Sequence, residues 1–266
     1  MHESATTSTE GAQVRRRTPS ERLGGLPSLL GDYWIVGVLF LFVIFFSIVA
    51  PGFFTLRSWI STSLYAVQFI LLGIGETLVI ITAGVDLSVG SIMGLSGMVG
   101  GYLMRQLTLA GMPDGLVILI GVLSGIAAGL VVGLANGYAI ARLGIVPMIA
   151  TMGTLSICRG LTFVVSDVSI ANIPERLGDF GNHVLWGIMP TPVLVTIVLA
   201  LIFYFVLHKT RFGRHIYALG SNREAARRAG LPIEKYLIQV YMLSGLLAAV
   251  SGLLTLSRFT AASPLA

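Results

Sequence analysis

The sequence predicts an all-α integral membrane protein, a polytopic helical bundle of about seven spans. Three observations carry that prediction: a low charge content, a series of unbroken apolar runs, and a one-sided distribution of Lys and Arg. Of 266 residues, 55% are hydrophobic and 11% are charged, and the mean hydropathy is +0.88. A soluble domain carries roughly 25% charged residues, so a water-facing surface of ordinary composition is excluded. The 32 glycines follow no G-X-Y period, which excludes collagen. A single cysteine, Cys158, excludes a disulfide framework and a cysteine-rich metal site.

About 20 apolar residues cross a ~30 Å hydrocarbon core as a helix. Seven runs have this character: Trp34–Ala50, Ile60–Ala83, Leu87–Met104, Leu116–Ile140, Val146–Val165, Val193–Leu207 and Leu237–Leu256. They are continuous, whereas barrel strands alternate over about ten residues, so helices are favoured. Residues 1–33, rich in Ser and Thr and holding Arg15, Arg16, Arg17 and Arg22, read as a disordered cytoplasmic tail. No convincing small-x-small cleavage site follows the first run, so it reads as an uncleaved helix opening a transmembrane domain over 34–266.

Basic residues mark the cytoplasmic face. With the N-terminus inside, the inside segments hold twelve Lys and Arg, four in the tail, Arg142, and seven in 208–236. The outside segments hold four: Arg57, Arg105, Arg176 and Arg258. Treating Ile60–Met104 as one broken crossing would put 208–236 outside, so two crossings are preferred. The net charge of +5 is therefore a topology signature and implies no nucleic-acid partner.

Within the loop 208–236, Asn222 to Gly230 reads N-R-E-A-A-R-R-A-G. Asn222 suits an N-cap, and Glu224 lies in the first turn, where the helix dipole favours an acid. Arg227 and Arg228 lie in the last turn. Gly230 suits the left-handed position after a helix, and Pro232 stops continuation. This spells a self-contained two-turn helix. It reads either as a surface helix holding topology or as a docking knob with Ala225 and Ala226 as a close-approach face.

Glu224-Ala225-Ala226, three residues, then Gly230 resembles the EAA–x3–G motif of permease subunits in bacterial ABC importers. Thr82-Ala83-Gly84-Val85-Asp86-Leu87-Ser88-Val89-Gly90-Ser91 resembles the GxDLSVGS signature of the ribose-type monosaccharide permeases. Gly144–Thr151, Arg211–Gly220 and Ser244–Ala248 are similar to that family too, so the resemblance covers roughly 34–264. It implies a coupling helix at Asn222–Gly230 that fits a groove on a separate ATPase subunit. It also implies a second permease copy, as a homodimer or a related heterodimer, and an extracytoplasmic solute-binding protein. Family members continue beyond Ser263-Pro264 into further glycine-rich helices, so a truncated or shortened chain is expected here.

The break at Thr82–Ser91 also has a reading from its residues. Gly84 and Gly90 loosen the chain, and Asp86 with Ser88 can cap the next helix. These groups either cap that helix at the membrane surface or line a polar pathway, as broken helices do in transporters. Glu76 and Arg159 lie inside spans, where a charge costs about 2.5–3.5 kcal/mol. Each reads as paired, snorkelling, or lining a pathway. The pathway candidates are Glu76, Asp86, Ser88, Ser91 and Asn136. Glycines at 121, 125, 129, 133 and 137 form a small-xxx-small stripe. A step of four advances about 40° net, so the stripe predicts a central helix packed on more than one partner.

The sequence holds no GxxxxGK[ST], no HExxH and no paired Cys or His at metal-ligand spacing. No catalytic, cofactor or metal residue is expected in this chain; ATP and magnesium would sit on the partner ATPase. The outside loop 166–192, with Pro174, Pro190 and Pro192, reads as an ordered cap that could receive the binding protein or as a solvated loop. The expected function is import of a monosaccharide (ribose-, xylose- or galactose-like) across the bacterial inner membrane. The alternatives are a secondary carrier driven by an ion gradient through Glu76 and Asp86, a non-transporting membrane scaffold, and an ABC permease for a nucleoside or branched-chain amino acid.

Overall fold

The computed structural model describes residues 26–264, with side chains described from Trp34 onward. Among these residues the elements are α1 (Leu26–Val49), α2 (Leu56–Ile81), α3 (Val89–Leu109), α4 (Asp114–Ala141), α5 (Pro147–Val165) and α6 (Glu175–Asn182). A short hairpin follows, β1 (Val184–Leu185) and β2 (Met189–Pro190). Then come α7 (Thr191–Lys209), α8 (Arg211–Ser221), α9 (Arg223–Arg228) and α10 (Ile233–Phe259).

Each of the seven apolar runs forms a helix. Five of them, α2, α4, α5, α7 and α10, are long and apolar enough to cross a membrane. The described apolar part of α1, Trp34–Val49, is shorter. The α3 helix, with Gly90, Gly94, Gly97, Gly100 and Gly101, is not among the five. The all-α class holds, and a full count of seven crossings rests on the sequence reading.

The chain divides into two units, residues 1–55 and 56–266. The first contains α1, which starts at Leu26, ahead of the Trp34 boundary expected for it. Pro27 explains the early start, since proline is tolerated in a first turn, where its missing N–H has no partner to lose. Residues 26–33 are thus helix, not tail, and the rest of the expected tail lies outside the described residues. Phe42, Phe46 and Phe53 form a stacked series, with ring centroids 6.3 and 6.5 Å apart.

In the second unit, α4 and α10 pack along each other at the centre, with α3 against both. The α2 helix flanks α10, α5 lies on α3, and α7 lies on α2. Lipid is as apolar as leucine, so such helices associate by close packing and not by the hydrophobic effect. The glycine stripe provides that packing, and its drift is as expected. A Cβ on Gly121 would meet Met104 and the Gly100 carbonyl of α3. One on Gly125 would meet Ser96 of α3 and Leu253 of α10. On Gly129, Gly133 and Gly137 it would meet only α10, at Gly245, Tyr241 and Ile238.

The two ends of the bundle sort the loops as the alternation of spans requires. At one end, Arg142 after α4 pairs with Glu234 at the start of α10, Nε to Oε2 2.7 Å. At that same end, Gly220 of α8 sits on the carbonyl of Ile81. At the other end, Ile170 bridges Ala262, and Asn182 Nδ2 donates to the Arg258 carbonyl at 3.0 Å. The segment 166–192 is ordered there as α6 and the hairpin, consistent with a cap.

Candidate functional site

The loop 208–236 folds into two short helices. The first, α8, was not foreseen as a separate element. Its glycines explain the Arg211–Gly220 stretch, because each allows backbone contact. A Cβ on Gly213 would lie 2.0 Å from the Leu207 carbonyl oxygen, and one on Gly220 1.7 Å from that of Ile81. Ile216 and Leu219 turn inward and are buried.

The second helix, α9, spans Arg223–Arg228, shorter than the two turns expected. Its ends are closed as the sequence suggests. Asn222 Oδ1 accepts from Ala225 N at 2.9 Å. Gly230, at φ +81°, ends the helix in a Schellman motif. In it Leu231 N donates to the Ala226 carbonyl (3.1 Å) and Gly230 N to that of Arg227 (3.0 Å). Glu224 and Arg228 form an exposed i,i+4 pair, 3.1 Å apart. One expectation is corrected: Ala226 is buried against its own chain, so the face open to a partner carries Ala225 but not Ala226. On this helix Ala226 faces the bundle, where α9 contacts α8 and α10, while Ala225 faces out.

Three of the five pathway candidates, on turn 82–88 and α4, meet in one buried knot. The α2 helix ends in a second Schellman motif, with Ala83 N donating to the Ile80 carbonyl and Gly84 N to that of Val79. Ala83, not Gly84, takes the left-handed position, at φ 58°. Gly84 is needed for a different reason: a Cβ there would lie 2.7 Å from the Tyr241 hydroxyl. The chain then turns so that Asp86 N donates to Glu76 Oε1 at 3.2 Å.

Asp86 Oδ1 accepts from Ser88 N (3.0 Å) and Ser88 Oγ (2.6 Å), and Oδ2 from Ser244 Oγ of α10 (3.2 Å). Asn136 Nδ2 of α4 donates to Ser88 Oγ at 2.9 Å, and Thr154 Oγ1 of α5 donates to Asn136 Oδ1 at 2.8 Å. The Tyr241 hydroxyl donates to the Val85 carbonyl at 3.4 Å.

Ser88 heads α3, but its side chain makes no capping bond; Asp86 supplies the acceptor instead. Asp86, Ser88 and Asn136 are buried at 3%, 0% and 0% exposure. They therefore do not face an open path in this conformation, as a pathway lining requires. They tie α3, α4, α5 and α10 to the turn after α2. Bonds of this kind inside a membrane average about 0.6 kcal/mol each, so the five that cross between elements are worth about 3 kcal/mol. Glu76 is half-buried, and its Oε2 is buried without a hydrogen-bond partner. Ser91, half-buried, faces a cleft between α3 and α5. Sequence reasoning missed Thr154, Tyr241 and Ser244. Their signal was a polar group within an apolar span, and Ser244 already stood in a stretch singled out.

A glycine-packed bundle with a polar knot and an exposed, capped loop helix at one end is a multi-pass helical membrane protein. The sequence profile of a family described as branched-chain amino acid transport system / permease component matches residues 58–266. The D-allose transport system permease protein AlsC of Escherichia coli (strain K12) is 35% identical over 239 residues, 89% of this chain and 70% of that protein. The ribose import permease protein RbsC of Bacillus subtilis (strain 168) is 36% identical, over 86% of this chain and 69% of that one. The L-arabinose transport system permease protein AraH of Escherichia coli (strain K12) is 33% identical, over 86% and 68%. No solved structure matches. The chain belongs to this permease family, in its ribose-type monosaccharide branch, and is a sugar-transport permease of the ABC class.

Proposed function

We propose that this chain is the transmembrane subunit of an ATP-driven importer that moves a monosaccharide of the ribose, allose or arabinose kind into the cytoplasm. It works with a separate ATPase subunit, an extracytoplasmic solute-binding protein and a second permease copy. Its N-terminus and the α8–α9 loop lie in the cytoplasm, and seven helices cross the inner membrane. Closure of the ATPase pair on ATP moves α9 and switches the pathway between inward- and outward-facing states. The observation that carries the reading is α9. A six-residue helix with an N-cap bond at one end and a Schellman motif at the other keeps its shape while exposing Glu224 and Ala225.

The test is a pull-down of the tagged chain from gently solubilised membranes, with mass spectrometry of what it holds. An ATPase subunit is expected, and is expected to be lost in Glu224→Ala and Gly230→Pro variants that still insert. Proline cannot adopt φ +81° and removes the N–H that closes the motif. Normal uptake by Gly230→Pro would refute the docking role. Uptake that stops with the ion gradient while ATP persists would favour the secondary carrier.

A further inference from the structure

We propose that the cleft between α3 and α5, with Arg159 in its wall, is a subsite for the hydroxyl groups of a neutral monosaccharide on the translocation path. This rests on the importer reading and gives it a location. The cleft holds about 350 Å³ and is lined by Ser91, Met93, Leu155, Arg159 and Thr162, among others. That volume lies within the range of small-molecule sites.

Arg159 is the anomaly that singles the cleft out. It sits inside α5, six residues before Val165, on a helix apolar enough to cross the membrane. A guanidinium at such a depth costs about 2.5–3.5 kcal/mol against lipid. Among the described residues it has no ion pair, and it is exposed to the cleft instead of being sealed among neighbours. A charge so placed needs water, a lipid headgroup or a polar ligand within reach. The open face of α5 is mixed: Gly153, Ser156 and Gly160 are exposed among Met152, Ile157 and Val164, and a Cβ on either glycine would meet nothing.

The donor and acceptor pattern fits hydroxyls. Ser91 Oγ already donates to the Ser88 carbonyl (2.8 Å) and Thr162 Oγ1 to that of Arg159 (2.7 Å). Each has spent its one hydrogen, so what either oxygen has left to offer is acceptor capacity. The guanidinium offers only donors. A sugar hydroxyl donates and accepts at once and satisfies both sets. A carboxylate or phosphate would leave the two acceptors facing negative charge, and an apolar ligand would leave the guanidinium unmatched. Met93 and Leu155 give the C–H face of a sugar ring an apolar surface. The knot that holds Ser88 and Thr154 lies directly beside this wall, since Ser91 and Leu155 are their near neighbours in α3 and α5. Closing or opening the knot would reshape the cleft.

The experiment measures uptake of labelled D-ribose, D-allose and L-arabinose by cells expressing the whole importer, with this chain as wild type, Arg159→Lys or Arg159→Met. A Leu155→Cys chain in a Cys158→Ser background is labelled in parallel with a charged methanethiosulfonate. For the sugar that wild type transports, Arg159→Met is expected to lower uptake efficiency about tenfold to hundredfold, the scale of one charged hydrogen-bond set. Arg159→Lys is expected to raise KM with little change in maximal rate, because lysine keeps the charge but not the planar fork. The same sugar is expected to slow labelling at Leu155→Cys at least about twofold. Wild-type KM in both variants overturns the subsite. So does full rescue by lysine with no protection of Leu155→Cys, which would make Arg159 a snorkelling anchor. If wild type takes up none of the three sugars, the importer reading for them fails first and the subsite falls with it. In the other failures wild-type uptake is intact.

Discussion

Replacing Gly133 by alanine tests how α4 and α10 are held together. A Cβ there would lie 2.4 Å from the Tyr241 carbonyl oxygen, 3.0 Å from Met242 Cα and 3.1 Å from the Tyr241 carbonyl carbon. All three are backbone atoms of the facing helix, so no rotamer change relieves the clash. Ordinary contact requires the helices to part by about 1 Å, and Tyr241, fully buried and bonded to Val85, resists. Overpacking of this kind costs about 1–3 kcal/mol, and the backbone geometry places Gly133→Ala at the upper end. Alanine returns up to about 1 kcal/mol through helix propensity, leaving a net loss of about 2 kcal/mol. Gly115→Ala is the control, because a Cβ at Gly115 of the same helix meets nothing, and it should gain up to about 1 kcal/mol. The predicted difference between the variants is about 3 kcal/mol, or about 6–12 °C in melting temperature. Cys158 provides the assay: it is the sole cysteine and 1% exposed, so a thiol-reactive dye reports unfolding in detergent. Equal melting temperatures for the two variants would show that the stripe does not set the approach of α4 and α10.

Further tests use the same assay. Ala83→Gly should raise the melting temperature by about 2–4 °C, because it relieves about 1 kcal/mol of left-handed strain; no rise, or a fall, would mean that the turn is not held as described. Asn136→Leu combined with Thr154→Val in a double-mutant cycle should give a coupling of about 0.6–1.7 kcal/mol, and zero coupling would remove Thr154 from the knot. Breaking the exposed Arg142–Glu234 pair should cost less than about 1 kcal/mol, and the loss should shrink in 1 M salt. A larger, salt-independent loss would point to a buried role that the pair's exposure does not suggest.

Most of the fold was legible because membrane helices are specified by length and apolarity alone. The drift of the α4 stripe followed from helical pitch. What could not be read were relations set by a third partner. Ala225 and Ala226 are the same residue type, yet only Ala226 is buried. Gly84 is held by a Tyr241 hydroxyl 157 residues away in sequence. The caps of α9 are local and were foreseen from Asn222 and Gly230. The knot is assembled from five elements, and only its Asp86–Ser88 part, two residues apart, was visible in sequence. Ser88 looked like a cap, but Asn136 competes for its oxygen and Asp86 takes its hydrogen.

The contact between Gly220 and Ile81 has a mechanical consequence. Side chains between two helices act as springs, since each can change rotamer and absorb a small displacement. Here backbone rests on backbone, and nothing compressible lies between α8 and the last turn of α2. A displacement of α8 therefore bears directly on the backbone of Ile81 and Thr82. From there the chain runs within a few residues to Asp86, where hydrogen bonds divide the motion among α3, α4, α5 and α10. The loop and the bundle thus meet at this point through backbone alone, a joint with little room for slack.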